Sequence, residues 1–391
     1  MSGEAAFVHD PSLEDYGFGE DHPFRPVRIR TTIELCESLG LLEGYPFVES
    51  EPATDEDLTT VHYTSYVNRV KKAARGEGDL GEDELEELRH YGLGTQDNPI
   101  FEGMHEASAR VVGATLRACH LVMNGEAKHA LCLSGGLHHA QRWAASGFCV
   151  YNDAGVAITR LKEEHPDIKI AYVDTDVHHA DGVQWMFYDD PHVLTISMHE
   201  TGRRLFPGTG HIKERGQGEG HGYAVNLPLQ PYTQDDSFIE CFEAVVPEML
   251  RSFEPDLIFS QNGCDAHELD LLADLSVTTR VYEHVPHRVH ELAHELCEGR
   301  WVAVGGGGYD IWRVVPRAWA ALWAVVSHQE LPEKIPEDWL KKWGEESPVE
   351  LPRLMRDDPD DYPPIERADE IAETNRQTVE ELREKVLPLI G

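Results

Sequence analysis

Short apolar runs alternate along the chain with longer segments whose apolar positions recur at helical spacing. The runs of strand length are HALCLSG (129–135), KIAYVDTD (169–176), VLTISMH (193–199), DLIFSQNG (256–263) and WVAVGGGGY (301–309). Segments 107–123, 238–253 and 281–298 predict helices between or beside them. Strands that are apolar throughout and separated by helices predict an α/β fold, a central parallel sheet flanked by helices in three α/β/α layers. Although 391 residues would allow two or three domains, no boundary divides residues 1–330, so these are expected to form one domain. From Leu331 the chain turns Pro-rich and charged, and RDDPDDYPP (356–364) reads as a loop. Ile365, Ala368, Ala372, Val379, Leu382 and Val386 then give a final amphipathic helix. Residues 331–391 are thus expected to be an acidic extension packed on the same domain. GEGDLGEDELEELR (76–89) predicts a solvated turn and helix.

In parallel sheets of this kind, ligands sit beyond the carboxyl ends of the strands. The strand ends here carry chemistry: Gly135-Gly136-Leu137-His138-His139, Asp174 to His179, Ser197-Met198-His199, Asn262-Gly263-Cys264-Asp265 and Gly305 to Tyr309. Five ends converging on one rim with His, Asp and Tyr predict a site there.

Composition narrows what that site can serve. Hydrophobic residues at 41% suffice for a core and exclude a disordered chain. A formal net charge of −37 argues against binding a phosphate backbone, so no nucleic-acid partner is expected. The basic residues are 10 lysines and 24 arginines, and this lysine-poor, evenly acidic surface suits a salt-rich, halophilic cytoplasm. Seven cysteines without a Cys-x-x-Cys pair fit a reducing compartment rather than a disulfide framework. The opening MSGEAAFVHDPSLED lacks a basic start and an apolar run, and no stretch reaches membrane-spanning length. A cytoplasmic location without a membrane partner is therefore expected.

Asp176-Val177-His178 places two potential metal ligands two residues apart at a strand end, where an extended chain points both to one face. Asp265, ending a later strand, can supply a third. Two carboxylates and one imidazole leave coordination positions open, as a catalytic ion needs; zinc leads, and Fe²⁺ suits the same donors. A carboxylate pair capping a helix or holding a monovalent ion would look the same for Asp176 and Asp265 alone.

His138-His139 follows a Gly-Gly turn, and Asp174 and Asp181 are spare carboxylates able to hold one imidazole each by Nδ1–H. A metal beside two such relays suits activation of water. Tyr309 follows four glycines, but neither a phosphate-loop Lys-Ser/Thr nor a spaced G-x-G-x-x-G is present. The glycines instead let the backbone pass close to the site, with the phenol placed to stabilise an oxyanion; a packing tyrosine is the alternative.

SGGLHHA, DTDVHHADGVQ, LFPGTG, NGCDAH and GGGGY occur in the order and spacing of the metal-dependent histone deacetylase family, which the chain resembles over roughly residues 5–330. HPFRPVRI, GTQDNPIFEG (94–103) and SGFCVYND (146–153) match too, and SMHETGRRLFPGTG with GRWVAVGGGGYDIWRVVPRAW looks like the prokaryotic acetoin-utilisation type. The resemblance implies an arginase/deacetylase-like fold and a zinc-dependent amidohydrolase acting on acetylated protein or peptide. It implies Asp176, His178 and Asp265 as metal ligands, His138 and His139 as the tandem histidines with Asp174 and Asp181 behind them, and Tyr309 as the residue polarising the scissile carbonyl. Phe148 and Phe206 match the walls of an acyl-lysine tunnel, Gly147 its floor, Leu272 its apolar rim and Asp97 the rim carboxylate that grips substrate amides. Asp174, Asp176 and Ser197 resemble a structural site for a monovalent cation, K⁺.

The chain lacks the basic surface or long tail that would support a chromatin role. Acetylpolyamine hydrolysis is the nearest alternative, but the inserted loop those enzymes carry is not evident. An arginase-like two-metal centre needs a second Asp-x-Asp pair, and position 267 is His. An inactive acyl-lysine-binding module would show a broken site, whereas every expected position is filled.

Overall fold

The computed structural model describes residues 3–390. Seven strands, β1 (Gly3–Phe7), β2 (Ala127–Cys132), β3 (Ile170–Asp174), β4 (Val193–Glu200), β5 (Ala224–Leu229), β6 (Leu257–Gln261) and β7 (Trp301–Val304), form one sheet in the order β1-β2-β7-β6-β3-β4-β5. Every pairing is parallel. The five strands expected from apolar runs are β2, β3, β4, β6 and β7, and they are neighbours in the sheet. The two unforeseen ones, β1 and β5, are its edges. Each edge strand pairs on one side only and escapes the apolar pattern: β1 reads GEAAF, and β5 carries Asn226 and Pro228.

Side chains alternate between two apolar layers with the period of two that a strand imposes. Ala171 and Val173 of β3, and Trp301 and Ala303 of β7, enter one layer with Phe238, Phe242, Val281 and Trp319; Ile170, Tyr172, Val302 and Val304 enter the other with Val111, Val112 and Ile158. The expected helices are Met104–Met123, Asp235–Phe253 and Thr279–Leu296. Segment 76–89 is a 3₁₀ turn, Glu77–Asp79, and a helix, Glu82–Arg89. Among the described residues no helix is long and apolar enough to cross a membrane.

Residues beyond 330 are tied to the rest of the chain through buried polar contacts. Trp339 donates its indole N–H to the Thr31 carbonyl (3.0 Å). Asn375, buried on the helix Ala368–Lys385, accepts from the Gln230 backbone N–H (3.0 Å) and donates to Thr233 (2.8 Å). Asp357, inside the segment that reads as a loop, lies 2.9 Å from His267 Nε2 and 2.8 Å from the Arg317 guanidinium, and accepts from the Thr279 N–H (2.9 Å).

Candidate active site

Because the sheet is parallel, β2, β7, β6, β3 and β4 deliver their following loops to one edge. Asp176 and His178 leave β3 in a turn tied down by the Asp176 N–H to Asp174 (3.0 Å) and the His178 N–H to Asp176 Oδ1 (3.0 Å). Asp265 arrives from the β6 loop. His178 Nδ1 lies 3.1 Å from Asp176 Oδ1 and 3.0 Å from Asp265 Oδ2, and all three residues are buried.

Protein donors hold both carboxylates in place, and Asp176 Oδ1 and Asp265 Oδ2 are the oxygens turned to the shared position beside His178 Nδ1. Asp176 Oδ2 accepts from Gln261 Nε2 (2.9 Å) and the Gly307 N–H (2.6 Å), while Asp265 Oδ1 accepts from the Val177 N–H (2.9 Å). A side chain at Gly307 would collide with the Asp265 carboxylate, which is why glycine stands there. Burial and the Asp176 charge push Asp265 up to about 6, and the two carboxylates overcome burial to raise His178 to about 10. The set calls for positive charge, and its donor atoms lie within 4.8 Å of one another. Two carboxylate oxygens and one imidazole nitrogen fit a divalent ion with open positions.

Beside this set stand the tandem histidines. His138 Nδ1 lies 2.8 Å from Asp174 Oδ2, His139 Nδ1 lies 2.7 Å from Asp181 Oδ1, and the two Nε2 atoms are 3.0 Å apart. Asp174 also accepts from the Tyr172 hydroxyl (2.6 Å) and Asp181 from Gln141 (2.8 Å), so both carboxylates are fixed. The rings differ electrostatically. Burial lowers both, but Asp174 and Asp176 outweigh it at His138 and lift that ring to about 9. At His139, burial and the neighbouring His138 and His178 hold the ring well below its usual range, so it is neutral and ready to accept a proton.

A cavity of about 210 Å³ opens onto these groups, and Asp97, His139, Gly147, Phe148, His178, Phe206, Leu272 and Tyr309 all line it. Every position expected to contact substrate is thus brought to the same opening as the metal set. Tyr309 sits edge-on to Phe148 (5.8 Å between ring centres), and Phe206 edge-on to His139 (5.0 Å). Burial, Asp265 and Asp176 raise the Tyr309 phenol well above its usual range, keeping it a proton donor. The expected cation positions are only partly united. Asp174 and Ser197 are register partners across β3 and β4, and the Ser197 hydroxyl lies 2.9 Å from His199 Nδ1. The Asp176 carboxylate is instead committed to the His178–Asp265 set.

Several supporting residues escape sequence reasoning. Asp153 accepts from the Gly136 and Leu137 N–H groups (3.0 and 2.7 Å) and from Thr115 (2.7 Å), shaping the turn that presents His138. Asp270 accepts from the Tyr309 N–H (2.8 Å). Arg28, buried against the Phe24 ring (4.1 Å), donates to the Gly308 carbonyl (3.1 Å). Leu205 also lines the cavity. Asp153, Gln261 and Arg28 lie inside the quoted stretches SGFCVYND, DLIFSQNG and HPFRPVRI, but nothing in those stretches says which distant groups they hold.

A buried two-carboxylate, one-imidazole set backed by paired His–Asp couples at the rim of a parallel sheet defines the class, a metal-dependent hydrolase of amide bonds. The chain belongs to the histone deacetylase family: the Histone deacetylase domain matches residues 22–326. It is 48% identical over 376 residues to the acetoin utilization protein AcuC of Bacillus subtilis (strain 168), covering 96% of each chain. Its identity to the acetoin utilization protein AcuC of Staphylococcus xylosus is 38% over 383 residues, 98% of each chain. Among solved structures it is similar to a histone deacetylase homologue from Aquifex aeolicus (TM-score 0.84, 27% identity, 97% of this chain and 100% of that one).

Proposed function

We propose that this chain hydrolyses the acetyl-lysine amide of protein substrates to lysine and acetate. The observation that carries the reading is the convergence of the Asp176–His178–Asp265 set, the neutral His139 and the Tyr309 phenol on one narrow cavity. A bound divalent ion, zinc first and Fe²⁺ second, would supply Lewis-acid polarisation of the carbonyl and a water of lowered pKa. His139 takes the proton from the attacking water and later delivers one to the leaving amine, with Asp181 holding its Nδ1. His138, raised by Asp174 and Asp176 against burial, contributes positive charge beside it. Tyr309 donates to the carbonyl oxygen as negative charge develops there. Phe148 and Phe206 enclose the aliphatic lysine chain above Gly147, with Leu272 at the apolar rim, and Asp97 grips the substrate backbone there. Asp174 and Ser197, with the chain at Asp176, hold a structural K⁺.

The acetoin-utilisation relatives support a role in acetoin and acetate metabolism, with acetyl-coenzyme A synthetase as a candidate target. Residues 331–391 belong to the same folding unit, and the enzyme works in the cytoplasm without nucleic acid. Kinetics test the substrate class: kcat/KM is expected to be higher on acetyl-lysine peptides than on N-acetylspermidine, and the reverse order makes the chain an acetylpolyamine amidohydrolase. The net charge of −37 supports a salt-rich setting. Raising KCl from about 0.1 to 2 M, where the screening length falls to a few Å, is expected to raise Tm; an unchanged or lower Tm contradicts that setting.

A further inference from the structure

At the amino-terminal end of the sheet, opposite the active site, four histidines from three parts of the chain meet. His129 lies on β2 with its side chain buried. His290 and His294 stand one turn apart on the helix Thr279–Leu296, and His328 follows the helix Val315–Val326 in a left-handed backbone conformation (φ +58). Their Nε2 atoms face one another: His129 to His328 at 3.1 Å, His290 to His328 at 3.2 Å and His294 to His129 at 3.2 Å. One ligand atom from each ring lies within 4.8 Å of the others.

From this geometry we propose that His129, His290, His294 and His328 form a second metal site, taking a tetrahedral transition dication such as Zn²⁺. The distances favour it. Four nitrogens at the zinc–imidazole distance of 2.0–2.1 Å form a tetrahedron with edges of about 3.3 Å, close to the separations found. Without an ion the arrangement is frustrated. A neutral imidazole Nε2 carries either one proton or one lone pair, so the chain 294–129–328–290 needs a shared donor and a shared acceptor to pair all three contacts. A dication satisfies four lone pairs at once.

The local sequence His290-Glu291-Leu292-Ala293-His294 has the H-E-x-x-H spacing that sets two imidazoles on one helical face. Here Glu291 is exposed and paired with Arg288 (2.7 Å), and two further histidines fill the sphere. Four protein ligands leave no position for water, so the site holds structure and does not hydrolyse. Its ion joins the strand leading to His138 to two helices. His294 and His328 are exposed, which gives the ion a way in.

The test is metal content by elemental analysis after chelation, loading with Zn²⁺ alone and desalting. Wild type is compared with His294→Gln/His328→Asn, whose substitutions fall on exposed rings and whose Asn tolerates the left-handed backbone. The variant is expected to hold one zinc fewer per chain than wild type while turnover on an acetyl-lysine peptide is unchanged, and its Zn²⁺-dependent rise in Tm is expected to be smaller than that of wild type. Asp265→Asn is expected to keep the zinc of the four-histidine site, which separates this proposal from the catalytic reading. Equal zinc contents in wild type and the double variant overturn it, whether both hold one ion or both hold two.

Discussion

Replacing Tyr309 by Phe isolates one hydroxyl. The Asp270 bond to the residue 309 N–H (2.8 Å), the Arg28 bond to the Gly308 carbonyl (3.1 Å) and the edge-on packing against Phe148 all survive the change. What disappears is a donor that burial and the nearby carboxylates keep protonated. If that donor stabilises charge only as it develops on the carbonyl oxygen, its loss falls on the transition state, where one such donor is worth about 3–4 kcal/mol, or about 10²–10³ in kcat. Steady-state kinetics on an acetyl-lysine peptide should show kcat reduced by that factor with KM little changed. Metal content and Tm measured on the same sample should match wild type. A Tyr309→Phe enzyme with near wild-type kcat refutes the oxyanion role.

Three further outcomes follow from named contacts. Asp181→Asn removes the charge 2.7 Å from His139 Nδ1, and about 10- to 100-fold lower kcat is expected at unchanged metal content; full activity would show that this carboxylate does not set the ring. Asp176→Ala should cost one bound metal ion per chain and all turnover, and undiminished metal would contradict its assignment as a ligand. Asp357→Ala strands Arg317 and His267 without their buried partner, a loss of about 3–5 kcal/mol in urea denaturation at neutral pH. His267 and Arg317, against burial, hold the Asp357 carboxyl well below its usual range. Its contribution is therefore complete above about pH 4 and fades as pH falls further, so the gap between wild type and variant should be flat from about pH 8 to 5 and close below about pH 4. A gap that widens on acidification contradicts the pairing.

The central strands were legible because burial on both faces forces apolar runs, and the residues after them were legible because chemistry gathers at strand ends. β1 and β5 were not, since an edge strand needs no such run and β5 tolerates Pro228 there. The site residues share short motifs, so Asp176, His178, Asp265, His138, His139 and Tyr309 could be picked out before any coordinates. Their supports come from distant segments: Arg28 and Gly308 are 280 residues apart, and no local pattern joins them. The same holds for His129 and His328, 199 residues apart, which only the packing of two helices on β2 brings together. Asp357 shows the reverse case, a residue in a Pro-rich, charged stretch that reads as a loop yet is fixed in place by His267 and Arg317.

Anomalous X-ray diffraction at the zinc edge, on crystals of zinc-loaded enzyme that is active when redissolved, tests the catalytic centre most directly. An anomalous peak bonded to Asp176, His178 Nδ1 and Asp265, beside His139 and under Tyr309, is the result expected. Active crystals with no density between those three side chains would contradict it.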